Sequence, residues 1–290
     1  MCRRRRADLL RREPAPGSKF IGYNPTAMPT RRSDKESRTA IVTGASRKIG
    51  IAAAVARALA RDGWNVVTTC WRPYDATMPW GSRSTEAGAL VAELKRLGVR
   101  ALLHEDNLED PAAAGRIFDA AERGIGPVRA LINAHAHSTS GGLLDVTVAE
   151  FDRHMAVNAR GVLLMSAEFA RHFKGPRGTG RIVNFTSGLP LAGEIAYAAS
   201  KGAIEWITVS SAAELAPRSI AVNAINPGPN DTGWMRTRLR KQIARRSPMG
   251  RMGRPEDAAD VVAFLCSPSA RWITGQIVQC DGGWSALLRD

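Results

Sequence analysis

From Thr39 onward the chain alternates short β-branched apolar runs with longer, Ala-rich stretches whose apolar positions recur at helical spacing. The runs predict strands near 39–43, 64–70, 99–104, 128–132, 180–186, 219–225 and 276–280. The stretches between them predict helices near 51–62, 84–97, 111–123, 147–173, 195–216, 234–246 and 255–266. Apolar strands that lack a polar face, each followed by a helix, belong to a parallel sheet covered on both sides. With right-handed crossovers the expected fold is therefore α/β, one doubly wound seven-stranded parallel sheet with helices on both faces and ligands at the carboxyl ends of its strands. No internal repeat and no second core appears, so residues 38–290 read as one domain.

Residues 1–37 show no apolar period and mix Arg clusters with Pro and Gly, which predicts a disordered basic extension; a start at Met28 is the alternative. Composition adds little, with 44% hydrophobic, 23% charged and 6% aromatic residues and a mean hydropathy of -0.19, ordinary values that exclude a collagen-like or wholly disordered chain. Charge adds more. A net charge of +14 over 290 residues raises a nucleic-acid or membrane role, but half of it lies in residues 1–38, with 11 basic and 4 acidic side chains. No nucleic-acid and no membrane partner is expected. Cys2, Cys70, Cys266 and Cys280 are too dispersed for a zinc ribbon or a disulfide framework, no apolar run reaches the roughly 18 to 20 residues of a bilayer span, and a reducing cytoplasm is the default compartment.

The candidate chemistry begins directly after the first strand, where Thr43-Gly44-Ala45-Ser46-Arg47-Lys48-Ile49-Gly50-Ile51 opens onto an Ala-rich helix. A strand, a Gly-bearing turn and a helix N-terminus make a pyrophosphate site, because free N–H groups and the helix dipole favour anions there. The second strand ends Cys70-Trp71-Arg72 with no acid before Asp75. With Arg47 and Lys48 nearby, this charge pattern favours NADP(H) over NAD(H), since basic residues accommodate a 2′-phosphate and an acid accepts from a 2′-hydroxyl. Farther along, Tyr197 and Lys201 stand four apart in a helical stretch and so share one face, where an ammonium should favour the phenolate and lower the tyrosine's pKa. Asn158 lies inside an apolar helical stretch, where an unsatisfied amide would be costly, so a buried polar role is expected.

These motifs, in this order, resemble the short-chain dehydrogenase/reductase family, a Rossmann-fold family whose fingerprint is Thr-Gly-x-x-x-Gly-x-Gly. Two alignments of that fingerprint are open: one puts Lys48 in place of the middle glycine, the other lengthens the loop and puts Ala52 in place of the last. The second is preferred, because it leaves the helix from Ala52 to Gly63 at the family's usual length. The resemblance implies a catalytic set of Ser187, Tyr197, Lys201 and Asn158, with Thr186 as a fallback hydroxyl, Asn158 helping a proton relay, and a Ser187–Tyr197 loop shorter than usual. It places Gly44, Ser46, Arg47, Lys48, Gly50, Ile51, Trp71 and Arg72 on the dinucleotide. Asp106, Asn107 and Leu108 fall near the adenine, Asn133 and Ala134 along the groove, and Pro227, Gly228, Asn230 and Thr232 at the carboxamide, beside Tyr197 and Lys201.

The implied activity is hydride transfer between NADP(H) and a carbonyl or secondary alcohol, most similar to 3-oxoacyl-[acyl-carrier-protein] reductases. The alternative is a weak or inactive dinucleotide-binding protein on the same scaffold. Between Met235 and Pro255 lie eight basic residues and no acid, a segment that overlaps the substrate lid implied at 229–250 and suits a carrier-protein- or coenzyme A-bound substrate. Resemblance also implies a homotetramer. His135 and His137 are the only closely spaced histidines, and no metal is expected.

Overall fold

The computed structural model describes residues 38–82, 84–187 and 193–288. The expected N-terminal extension and Met28 lie outside the described residues. Seven strands form: β1 (Thr39–Val42), β2 (Asn65–Cys70), β3 (Ala101–Glu105), β4 (Val128–Asn133), β5 (Gly180–Phe185), β6 (Ile220–Asn226) and β7 (Ile277–Gln279). All pair in parallel in the order β3-β2-β1-β4-β5-β6-β7, so the order reverses between β1 and β4, where a crevice opens beyond the strand ends. The predicted doubly wound sheet is thus the observed one.

The helices are α1 (Ile51–Arg61), α2 (Arg72–Ala76), α3 (Ser84–Arg96), α4 (Ala113–Gly124), α5 (Val148–His154), α6 (Gly161–His172), α7 (Ile195–Leu215), α8 (Thr237–Arg246) and α9 (Pro255–Cys266). Along β1, Ala40 and Val42 point into one core with α1, α3 and α9, while Ile41 points into the other with α4, α6 and α7. This period of two divides the apolar runs between the faces. Small side chains bring α1 close to the sheet, with Ala52, Ala53, Ala54 and Ala56 buried. Arg181, buried in β5, spends its guanidinium on the carbonyls of Leu265 and Ser267 at the C-terminus of α9, where the helix dipole favours a cation.

Two departures from the expected elements matter for the site. A short helix, α2, follows β2 where the sequence pattern predicts no element; Pro73 in its first turn suits a helix start. The single helix expected over 147–173 is interrupted by a π-helical turn at Met155–Arg160, which carries Asn158. No helix among the described residues is long and apolar enough to cross a membrane.

Candidate active site

Helix α7 carries Tyr197 and Lys201 on one face, with the Lys201 ammonium 5.6 Å from the centroid of the Tyr197 ring. Lys201 Nζ donates to the Phe185 carbonyl at 2.9 Å, at the C-terminal end of β5. Burial lowers the Lys201 pKa to about 8. Tyr197 moves the other way from the expected shift: desolvation, then Glu194 and Tyr74, push its phenol well above its ordinary value. The expected lowering by Lys201 is absent, and loss of water sets the direction. The site therefore holds a protonated phenol at neutral pH.

Asn158 resolves its burial by clasping the chain after β4. Its Oδ1 accepts from the His137 N–H at 2.7 Å, and its Nδ2 donates to the His137 carbonyl and to Ser200 Oγ, both at 2.9 Å. Ser200 Oγ in turn donates to the Tyr197 carbonyl at 2.7 Å, so the amide ties the β4 loop to the helix of Tyr197 and Lys201. Ser187 stands two residues past β5, half-buried, its hydroxyl without a hydrogen bond to a described residue. The fallback hydroxyl of Thr186 is committed to the Lys201 carbonyl and the Glu205 carboxylate. The shortened loop, at 188–192, lies outside the described residues.

Thr43 and His135, named in the sequence without a role at the site, meet here. Thr43 Oγ1 accepts from the Ala134 N–H at 3.0 Å and bonds His135 Nδ1 at 2.7 Å, while His135 Nε2 donates to the Val157 carbonyl of the π turn. Burial, then Lys201, lowers the His135 pKa to about 3, so a neutral ring locks β1, the β4 loop and the π turn together. Gly44 is required by the same contact: at φ +78 a Cβ would stand 2.7 Å from His135 Cα. His137 diverges from His135 and meets Glu150 and His154, all three ligand atoms lying within 4.8 Å of one another. These groups satisfy each other through Thr139, whose N–H donates to His154 Nε2 and whose hydroxyl donates to Glu150.

At the other end of the crevice, α1 begins at Ile51 with Gly50 before it, without a side-chain cap and without an acid in its first turn. Its first N–H groups are left for an anion. The preferred alignment is corrected here. Gly50, not Ala52, stands at the helix entrance, and a Cβ on it would come 3.3 Å from the Arg47 carbonyl, whereas Ala52 lies buried within the first turn. Lys48 therefore occupies the place of the middle glycine; its N–H donates to Glu86 Oε2 at 3.1 Å and its side chain is exposed.

Several residues expected at the adenosine have partners within the protein. Arg72 gives its N–H and its Nε to Glu105, at 3.2 and 2.7 Å. Asp106 is bound by Arg116 and His104, the Asn107 amide oxygen expected to meet an adenine accepts from the Glu109 N–H, and Leu108 is buried in the core beside α4. Arg72, Asp106 and Asn107 each thus have an internal partner beside the place expected for the adenosine. Trp71, by contrast, is exposed at the start of α2. Arg47 lies 4.1 Å over the Trp80 ring and donates to the Thr232 carbonyl, and Trp80 packs on Trp234 at 4.8 Å. A cavity of about 370 Å³ opens beside them, lined by Ser46, Arg47, Arg72, Asp75, Trp80 and Glu86 among others.

Beyond β6, Gly228 turns at φ +60 against Asp281, and Asn230 donates to the Pro227 and Gly228 carbonyls. Helix α8, in the segment expected to form a lid, has no buried residue, and its Arg240 pairs with Asp231. A dinucleotide fits what these residues leave open. Asp75 Oδ2, Asn133 Oδ1 and Asn230 Oδ1 are buried acceptors without partners among the described residues, and all three belong to segments that flank the crevice.

The family described as enoyl-(acyl carrier protein) reductase matches residues 44–285. An uncharacterized oxidoreductase, YjdA, of Bacillus subtilis is 41% identical over 87% of this chain and 98% of its own. An NADPH-dependent aldehyde reductase-like protein of Arabidopsis thaliana is 33% identical over 85% and 94%. Among solved structures, a short-chain dehydrogenase/reductase from Serratia marcescens superposes with a TM-score of 0.76 at 32% identity, covering 86% of this chain and 98% of that one. A blue fluorescent protein from a metagenomic library, in complex with NADPH, gives 0.75 at 34% identity with the same coverage.

Proposed function

This chain belongs to the short-chain dehydrogenase/reductase family of oxidoreductases, and from that premise we propose that it is an NADP(H)-dependent carbonyl reductase acting through Tyr197. The observation that carries the reading is the pairing of a protonated, desolvated phenol with a buried ammonium one helical turn away. A reduced nicotinamide, when bound, supplies the hydride. Tyr197 gives its proton to the carbonyl oxygen, which Ser187 holds with its uncommitted hydroxyl. Lys201 binds the ribose next to the ring and holds its ammonium beside Tyr197, and Asn158 keeps the β4 loop against α7 and helps relay protons from solvent. The uncapped start of α1 binds the pyrophosphate, and Asn230 with Thr232 faces the carboxamide.

Arg47 supports NADP(H), as do relatives named for NADPH. A 3-oxoacyl thioester or related ketone is the proposed substrate class, supported by the exposed basic face of α8. A homotetramer is proposed on the exposed Leu163, Trp206 and Val209 of α6 and α7; light scattering reading a monomer contradicts it. The test of function is NADPH consumption with an acetoacetyl thioester and a panel of free ketones and aldehydes, with Tyr197→Phe as control. Turnover that is lost in the variant supports the reading. Tight NADPH binding without turnover of any carbonyl contradicts it and leaves a cofactor-sensing scaffold.

A further inference from the structure

We propose that residues 72–81 form a strap across the dinucleotide crevice, closed in this structure, which lifts to let the cofactor enter and leave. The proposal rests on the dinucleotide reading above. Strands β2 and β4 flank β1, so a segment that leaves β2 and touches the loop after β4 crosses the carboxyl end of β1, where the uncapped start of α1 faces the crevice. The segment after β2 does this. Tyr74 on α2 holds both backbone groups of Ser138, its hydroxyl accepting from the N–H at 3.2 Å and donating to the carbonyl at 3.4 Å. Its ring lies 5.4 Å from that of His137, the residue whose backbone Asn158 clasps. Burial lifts the Tyr74 pKa to about 12, so the hydroxyl keeps the proton it donates.

A second latch lies six residues on. Trp80 packs on Trp234, beyond β6, and under the Arg47 guanidinium, while its Nε1 donates to Asp75 at 3.2 Å and braces the strap internally. Between Asp75, Trp80 and Gly81 of the strap and Ser46 and Arg47 of the β1–α1 loop lies the cavity of about 370 Å³. The base of the strap is tied to β3 through Arg72 and Glu105. Its far end can bend, because Gly81 turns at φ +65 with no described atom within 4 Å of where a Cβ would stand. Pro73, Ala76, Thr77 and Pro79 are exposed, which leaves the inner side chains, Tyr74 and Trp80 foremost, to hold the strap down.

The test follows NADPH emission by stopped flow on the full chain, for the wild type and Tyr74→Phe, with Trp80→Leu as a second latch variant. A gate slows entry and exit alike. The wild-type association rate is therefore expected to level off as NADPH rises, at the rate of opening. Tyr74→Phe should raise both that ceiling and the dissociation rate about tenfold, the scale of a lost pair of hydrogen bonds, while the dissociation constant stays within about threefold. Trp80→Leu should move both rates in the same direction. Faster dissociation with association unchanged marks an ordinary contact with the ligand and overturns the proposal. So does a wild-type association rate that climbs linearly to the limit of the instrument, and so do unchanged rates in both variants. Failure of NADPH to bind the wild type instead overturns the dinucleotide reading itself.

Discussion

Around β5, α7 and the π turn, polar side chains are buried and their partners are mostly neutral groups fixed in the backbone: Asn158 on His137, Lys201 on Phe185, Thr43 on Ala134. Around α2 and β3 the partners are other charges near the surface: Arg72 on Glu105, and Arg116 on Asp106 and Asp110. The first arrangement fixes geometry, because leaving any member unpaired in a buried site costs more than the bond itself contributes. The second fixes little, since exposed ion pairs are weak and screened by salt, so affinity there can be tuned without disturbing the chemistry. The proposed reduction calls for both, a fixed place for proton transfer and an adjustable place for cofactor choice.

That contrast breaks first at Lys201. Lys201→Met is expected to lower kcat about 100-fold, within the range of lost acid–base assistance, with turnover as the readout. The same residue predicts a pH effect. Its folded pKa of about 8 lies below the ordinary 10.5, so between these values the native state has released a proton that the unfolded state still holds. Stability therefore gains a contribution as pH rises through that window, and urea titrations of the wild type against Lys201→Met should show it only in the wild type. Next is Asn158→Ala, which strands the His137 backbone groups and should cost about 2 to 3 kcal/mol by denaturant unfolding. A cost near zero would deny that the buried half is held this way. Smallest is Glu105→Gln, which frees Arg72 and should tighten NADPH binding about twofold to threefold at low salt and hardly at all at high salt. An effect that persists at high salt would erase the distinction between the two halves.

The same division decides what could be read from the chain. Strands such as Thr39–Val42 are short β-branched and apolar runs buried on both faces, so composition marks them. Tyr197 and Lys201 are legible because their proximity is set within one helix turn. Thr43 with His135, and Arg72 with Glu105, are not, because each pair joins remote segments that only the parallel sheet brings together. The π turn was hidden because its apolar sequence continues the helix pattern, and its cause, Asn158 reaching His137, is tertiary. The direction of the Tyr197 shift was misread for a related reason: spacing reveals a neighbouring charge but not the loss of water around it.

The central claim is that hydride reaches a carbonyl carbon while Tyr197 protonates the oxygen. A single turnover with NADPH deuterated at the transferable position tests it directly, following the label by mass spectrometry in the wild type and Tyr197→Phe. The account predicts label on the carbinol carbon in the wild type, and none at equal times in a variant that still binds NADPH. Label transferred equally well by Tyr197→Phe, or an alcohol product without label, would contradict it.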